Sequence, residues 1–592
     1  MKGQKKKIIG LSLSLSVLAG SLGGAYAHAA ELPSNVTPPK PEWGYFVDNY
    51  KNNTSDNMSV TSNPAIGVLS EFNKMWKPGA TWDSGTKLNS ELLDMNIQKV
   101  INTAKKRTAA QEEAAYLDDR RNQSYSVIEG LGSLTDLYRE QAGATTTITE
   151  VQADATTQKY DDKGTNSGDP QSALGDIVSL VNTLRGNYSS TNPAKSFYNY
   201  KRPFRWSPEA TVLPTLVPAI KEDPTTDGGY PSGHTNGAYL AAFAMAYAVP
   251  ERYQELLTRA SELGNNRAVS GMHSYFDVMG GRVMATALAA SILNDPANKE
   301  IKQAAYEQAQ TKLLTQKGTA KDRFSDYQTN KKDYNERLTY GFPQAYAKDK
   351  PVLVPKGAEV LLETRQPYLD ATQRRWVLAT TGIPAGYPVL DDAEGWGRLN
   401  LFAAADGYGA FVNNVTVNMD AAKGGFNKED TWRNDIAGKG GLTKKGTGTL
   451  NLDGKNTYTG DTRLMQGTLE GGTTTAFGRG NVSNEGGTLA ENAAGKVKIS
   501  GDYKQTSKGT LTLTIGSKND VLAIDGSAMY GGKLQLNFTN GYVPKNNSTI
   551  IVSDKSPKHG KFASVKAAGL PAGYTVKAVY TNDSVKLQVK KK

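Results

Sequence analysis

The chain has 592 residues, of which 38% are hydrophobic, a formal net charge of +11 and no cysteine. That length allows two or three domains. The lack of cysteine excludes disulfides, so ordinary apolar cores must hold an exported chain together. The charge is uneven: without Lys2, Lys5, Lys6 and Lys7 it falls to +7, and residues 543–592 carry ten lysines against Asp554 and Asp583. Everything between is close to neutral.

In chain order, residues 1–29 combine a basic start (MKGQKKK), a short Ser-containing apolar run and the small-residue stretch AYAHAA, the pattern of a secretory signal peptide. Cleavage after Ala27 or Ala29 fits equally, and His28 then has no role in the mature chain. No later run approaches about 18 consecutive apolar residues, so no further membrane span is expected. The predicted location is therefore exported: periplasmic, surface-associated or secreted.

From about 40 to 315 apolar residues recur at three- and four-residue spacing, as in SELLDMNIQKVINTAKKRTAAQEEAAYLDD, SALGDIVSLVNTLRG, GAYLAAFAMAYAV, ERYQELLTRASELG and FDVMGGRVMATALAASILND. This predicts a mostly helical domain over 30–410. Within it, 316–355 is polar and reads as a long excursion. EVLLETRQPYLDATQRRWVLATTG then reads as helix again, with Asp370 or Thr372 as a cap. Trp396 and Phe402, in a segment with no other evident role, are candidates for packing the helical domain against its C-terminal neighbour.

Beyond about 410 the composition turns to Gly, Thr, Asn and Lys. Short strand-like pieces (TLNL, TRLMQGTLE, VKISGDYKQ, GTLTLTIG, KLQLNF, STIIVS, TVKAVY) alternate with Gly/Asn/Asp turns. The expectation for 411–592 is an all-β accessory domain, a β-solenoid or a sandwich. Its basic tail reads either as a footprint for an anionic polymer such as nucleic acid or cell-envelope polysaccharide, or as lysines that keep a β domain in solution.

The chain has four histidines: His28, His234, His273 and His559. His234 follows Tyr-Pro-Ser-Gly at the mouth of an apolar helix. His273 has Asp277 four residues later, the spacing at which two side chains share a helix face, so Asp277 can take the Nδ1 proton and leave Nε2 free to attack. Lys195 and Arg202 stand in KSFYNYKRPFRW, and Arg267 stands six before His273. Three fixed cations around two histidines suit a phosphoryl group, whose transition-state charge is spread over three oxygens. Taken singly these residues have ordinary readings: Ser232 as a helix cap, a histidine packed beside a helix, exposed cations.

Together, Lys-x6-Arg-Pro, Pro-Ser-Gly-His and Arg-x5-His-x3-Asp resemble the three-part signature of the phosphatidic acid phosphatase type 2 superfamily. The run RAVSGMHSYFDVMGGRV is most similar to the class A bacterial non-specific acid phosphatases. The resemblance covers roughly 40–310 and implies a helical bundle and hydrolysis of phosphomonoesters. It implies His273 as nucleophile forming a phosphohistidine, Asp277 orienting it, and His234 as general acid and then base. Lys195, Arg202, Arg267, the Ser232 hydroxyl and the Gly233 N–H would bind phosphate. The family usually has Ser where Asn266 stands; an amide there can donate to phosphate or brace Arg267. No metal or other cofactor is expected, because both histidines are committed and no carboxylate cluster has ligand spacing. Vanadate is expected as an inhibitor.

Vanadium haloperoxidases share the pocket architecture, so vanadate as cofactor is the alternative, with a catalytically silent surface protein as a third reading. The superfamily's membrane branch embeds its motifs among transmembrane helices, which favours a water-soluble phosphomonoester here. Residues 441–472 resemble the autotransporter-associated β-strand repeat of passenger domains. Autotransporters end in a membrane barrel, whereas this chain ends VKLQVKKK, so no self-translocation is expected.

Overall fold

The computed structural model describes residues 34–553 and 560–591. The signal-peptide reading and His28, His559, Asp554, Lys555, Lys558 and Lys592 lie outside the described residues.

Helices come first. α1 (Ser90–Lys106) starts where the Asn89 side chain accepts the Leu92 N–H. α2 (Ala109–Arg120) starts at a capping box in which Thr108 and Gln111 satisfy each other's backbone N–H groups. The run 90–119 reads as one helical period in sequence, but this cap divides it. α3 (Gly175–Leu184) comes after a long irregular stretch. The centre is α4 (Gly233–Ala248), α5 (Tyr253–Val269) and α6 (Tyr275–Asn294), with α4 packed against α3, α5 and α6. α4 is rich in alanine and α6 in alanine and glycine, so their backbones approach closely and both are buried nearly all round. α6 is long and apolar enough to span a membrane, yet its whole apolar window is inside the core. α7 (Lys299–Gln308) completes the bundle edge.

The polar segment 316–355 is not merely a loop. It contains α8 (Tyr327–Thr339), capped by Asp326 and buried through Asn330, Tyr334 and Leu338. One buried residue per four is enough to seat a helix on α5 although the rest of its surface is charged. α9 (Ala371–Thr381) begins at Asp370, which forms a capping box with Gln373. Trp396 and Phe402 pack inside the helical region: Trp396 meets Phe46 edge-on with ring centres 6.4 Å apart, and Phe402 meets Tyr334 of α8 at 5.6 Å. The junction with the β region is made instead by Arg365, Tyr368, Asp406 and residues 430–434.

The remainder is a parallel β-solenoid and not a sandwich. Thr449–Leu452, Thr468–Gly471, Thr488–Glu491, Thr510–Ile515 and Lys533–Phe538 pair side by side in parallel, one strand from each successive coil. Leu450, Leu469, Leu489, Leu511 and Leu534 therefore stack in register, all at most 1% exposed. A coil cannot bury its apolar face alone, and stacking neighbours makes one continuous core. The expected strands TRLMQGTLE and VKISGDYKQ each bend into two strands of different sheets, Thr462–Leu464 with Thr468–Gly471 and Lys496–Ile499 with Tyr503–Gln505. Gly467 turns the first corner at φ +72°, a left-handed conformation glycine adopts without strain. At the far end an antiparallel hairpin, Tyr574–Tyr580 with Ser584–Lys591, closes the third sheet against Ser548–Ser553 and carries Lys577, Lys586, Lys590 and Lys591 of the basic tail.

Glu394 joins the chain's start to its middle. Fully buried, it accepts from Phe46 N at 3.0 Å and Trp43 Nε1 at 3.3 Å. Burial, with Asp392 beside it, pushes its pKa up to about 8. An unfolded Glu releases its proton near 4.3, so between about pH 4.3 and 8 unfolding frees a proton that the fold retains, and stability falls as pH rises. Glu394→Gln should match the parent near pH 4 and exceed it increasingly toward pH 8, by on the order of 1 kcal/mol per pH unit. Urea titrations at both pH values check this; a constant difference across pH would disprove it.

Candidate active site

Three breaks between helices bring the expected residues together. Lys195 lies on the short helix Asn192–Tyr198 and donates from Nζ to the Gly228 carbonyl at 2.6 Å. Arg202 precedes Pro203, which holds it extended outside the next helix. It donates from Nε to Asp227 Oδ1 at 2.6 Å, and from Nη1 to Met272 O at 2.7 Å and His273 Nε2 at 3.0 Å. His273 sits in the turn between α5 and α6. Gly271 allows that turn, at φ +76° with Thr211 O where a Cβ would go.

The four-residue spacing predicts His273 and Asp277 on one helix face. The structure places His273 before the N-cap of α6, so the cap brings the pair together. Ser274 and Asp277 form a capping box, Asp277 Oδ2 accepts Ser274 N at 2.8 Å, and the same oxygen stands 3.2 Å from His273 Nδ1. Arginine can only donate, so Nε2 of His273 is the acceptor and the neutral ring carries its proton on Nδ1, toward Asp277. That leaves the Nε2 lone pair as the reactive position.

The electrostatics agree. Burial, then Arg202, Lys195 and Arg267, hold His273 well below the usual histidine range, so its ring is neutral. Burial raises Asp277 above the ordinary carboxylate range and lowers Lys195 below the ordinary lysine range, the latter helped by Arg202. Cations held out of water beside one another are stabilised by an arriving anion.

His234 is the second residue of α4, and its Nε2 lies 3.1 Å from the Asp119 carbonyl. A carbonyl only accepts, so Nε2 bears the hydrogen and Nδ1 is the site at which His234 gains or loses a proton. Burial first, then Arg267, pull its pKa down to about 3, with Asp119 opposing. Ser232 is the N-cap of α4: its Oγ accepts from Thr235 N at 3.3 Å and Thr235 Oγ1 at 2.9 Å, which leaves its own hydrogen free to donate. Gly233 opens α4, where N–H groups lack intrahelical acceptors. A Cβ on it would stand 3.1 Å from Thr191 Oγ1, so it is Thr191 that constrains this position.

Arg267, in the last turn of α5 and 2% exposed, donates from Nη1 to Asp119 Oδ2. Asn266 donates from Nδ2 to Asp118 Oδ2 at 2.7 Å, beside the Arg259 pair with the same carboxylate, and so ties α5 to α2.

Asp119 and Asp227 belong to the site but to none of the three sequence motifs. For Asp119 a signal exists: Asp118 and Asp119 close α2, the helix end at which the macrodipole disfavours anions, so two acids there imply cations waiting in the fold. Asp227 lies in a polar turn and nothing local marks it.

A neutral histidine backed by a carboxylate, a second histidine at a helix mouth and three cations, Arg267 among them fully buried, make up a pocket between helices whose charge suits an oxyanion. Residues 176–300 match the PAP2 superfamily and residues 442–470 the passenger-associated-transport-repeat. The stretch similar to the PAP2 superfamily thus lies in the helical region and the stretch similar to the passenger repeat in the solenoid. It is 37% identical over 119 residues to a non-specific acid phosphatase of Salmonella typhi, covering 20% of this chain and 46% of that protein. It is 31% identical over 139 residues to an acid phosphatase of Zymomonas mobilis, covering 23% and 51%. It is also 31% identical over 211 residues to the neisserial autotransporter lipoprotein NalP of Neisseria meningitidis serogroup B, covering 30% and 18%. The chain spans about half the length of the phosphatases it matches.

Proposed function

We propose that the protein is an exported acid phosphatase that hydrolyses phosphomonoesters through a phosphohistidine. The observation that carries this reading is the His273 ring, with Nδ1 on Asp277 and its Nε2 lone pair facing Arg202. The similarity to acid phosphatases supports the reaction class, and the similarity to autotransporters supports export.

Phosphate entering the pocket takes over the Arg202 Nη1 donor that now rests on Nε2, and Lys195, Arg267, Ser232 Oγ and the Gly233 N–H hold its other oxygens. Nε2 attacks phosphorus as the ester P–O bond breaks. The leaving oxygen takes a proton from Nδ1 of protonated His234. Water then attacks phosphorus while His234 Nδ1 accepts its proton; the new O–P bond forms as the Nε2–P bond breaks, releasing phosphate and restoring neutral His273. The low proton affinity of His234 comes from burial and Arg267; a bound phosphate dianion offsets Arg267 and restores the acid. Protein cations supply the charge stabilisation, so no metal enters the scheme.

Purified protein should hydrolyse a chromogenic phosphomonoester, keep that activity after exhaustive chelation, and lose it to vanadate, which mimics five-coordinate phosphorus. Rapid acid-free quench should trap acid-labile phosphate on His273. Activity lost to chelator and restored by a divalent ion, or turnover only with bromide, peroxide and vanadate, would overturn the proposal.

A further inference from the structure

We propose that Asp119 is a positioning residue that sets two phosphate-facing groups from different helices, Arg267 and His234, at a fixed distance from each other. This inference rests on the phosphatase reading above. Three contacts converge on one residue at the end of α2. Its Oδ2 accepts from Arg267 Nη1, its Oδ1 accepts from Arg120 Nε at 2.7 Å, and its main-chain carbonyl accepts from His234 Nε2 at 3.1 Å. Asp119 is 3% exposed, so this carboxylate trades water for two guanidinium groups. Burial works against its charge, yet the surrounding cations, Arg267 foremost, hold its pKa well below the ordinary range.

The geometry makes the two halves interdependent. Arg267 comes from α5 and His234 from α4, and Asp119 contacts both through α2. The neighbouring Asp118 fastens α2 to α5 by Arg259 and Asn266, so the platform under Asp119 is rigid. Arg267 Nε is buried without a protein partner, so Asp119 satisfies only part of the guanidinium. By contrast, Asp227 holds Arg202 and Arg205.

The carboxylate also offsets charge at His234. The foremost charges on that ring are Arg267 from α5 and Asp119 and Arg120 from α2, with His273 from the turn before α6 coupled to it. Of these, Asp119 is the one that favours the protonated ring. Removing it makes His234 harder to protonate, and protonated His234 is the form that can release a leaving group.

The test uses full-length protein with Asp119→Asn and Asp227→Asn, inorganic phosphate as ligand, and the His234 ring resonance followed by NMR against pH. Asp119→Asn should weaken phosphate binding at least ~10-fold and lower the pH at which His234 titrates in the phosphate complex by about one unit or more. Asp227→Asn should weaken phosphate but leave that titration in place. In hydrolysis, Asp119→Asn should pull the alkaline limb of the kcat profile to lower pH, whereas Asp227→Asn should act mainly on KM. If Asp119→Asn does not fold, Asp119→Glu keeps the charge, moves the carboxylate by one methylene, and should give an intermediate loss of phosphate affinity. An unchanged His234 titration in the Asp119 variants, or an equal shift in Asp227→Asn, overturns the proposal. Binding and titration do not depend on turnover, so an inactive parent protein would sink the phosphatase reading while leaving this one decided.

Discussion

His273→Ala abolishes hydrolysis, lowering kcat by about four orders of magnitude or more, while inorganic phosphate still binds. Losing a nucleophile that works as a unit with its base and its oxyanion donors removes nearly all of the chemical acceleration. Lys195, Arg202 and Arg267 are untouched, and Arg202 loses only its Nε2 contact while keeping Asp227 and Met272 O. Asp277 keeps its bond from Ser274 N, so the N-cap of α6 survives. Kinetics on purified protein, with phosphate binding by calorimetry and circular dichroism as a check of folding, measure this. Hydrolysis within tenfold of the parent would rule out His273 as nucleophile.

Asp430→Ala uncouples the helical region from the solenoid. Asp430 is 3% exposed and lies in the first strand of the seven-stranded sheet, Glu429–Trp432. Its Oδ2 accepts from Arg365 Nη1 at 2.7 Å and from the Tyr368 hydroxyl, whose oxygen in turn accepts from Trp432 Nε1 at 2.8 Å. Truncation leaves the Arg365 guanidinium buried without its counter-charge, which costs about 3–5 kcal/mol. The helices of the bundle pack chiefly on one another, so the expected thermogram splits: one transition near the parent temperature and a second, earlier one for the solenoid. Arg365→Met with Asp430→Leu, which removes both charges, should recover most of the loss. A single unshifted transition in Asp430→Ala would show that the junction carries no stability.

Much of the site is legible in the sequence because its chemistry is written in short local spacings. Pro-Ser-Gly-His and Arg-x5-His-x3-Asp each lie within one turn and the helix beside it, so their order in the chain is nearly their order in space. Asp277 does meet His273, but through the N-cap of α6 and not along the helix face that the spacing suggests. Asn266, which by sequence could serve phosphate or Arg267, instead holds Asp118, because a helix residue adjacent to Arg267 points about a quarter turn away from it. Helix α8 is hidden by its charge, since three buried residues at four-residue spacing leave little apolar signal in a segment of thirteen.

By itself the sequence determined the two textures of the chain, the positions of the long central helices and of several strands, and the identity of the histidines, cations and carboxylate that make the candidate site. These arise from periodicity, capping and turn chemistry, all set by residues within a few positions of one another. Tertiary structure alone decided that the strands coil into a parallel solenoid, that Asp430 joins it to the helices, and that Asp119 and Asp227 hold the arginines. Such contacts join residues far apart in the chain, from 19 between Thr449 and Thr468 to 148 between Asp119 and Arg267, and packing of the whole fold is what brings them within bonding distance.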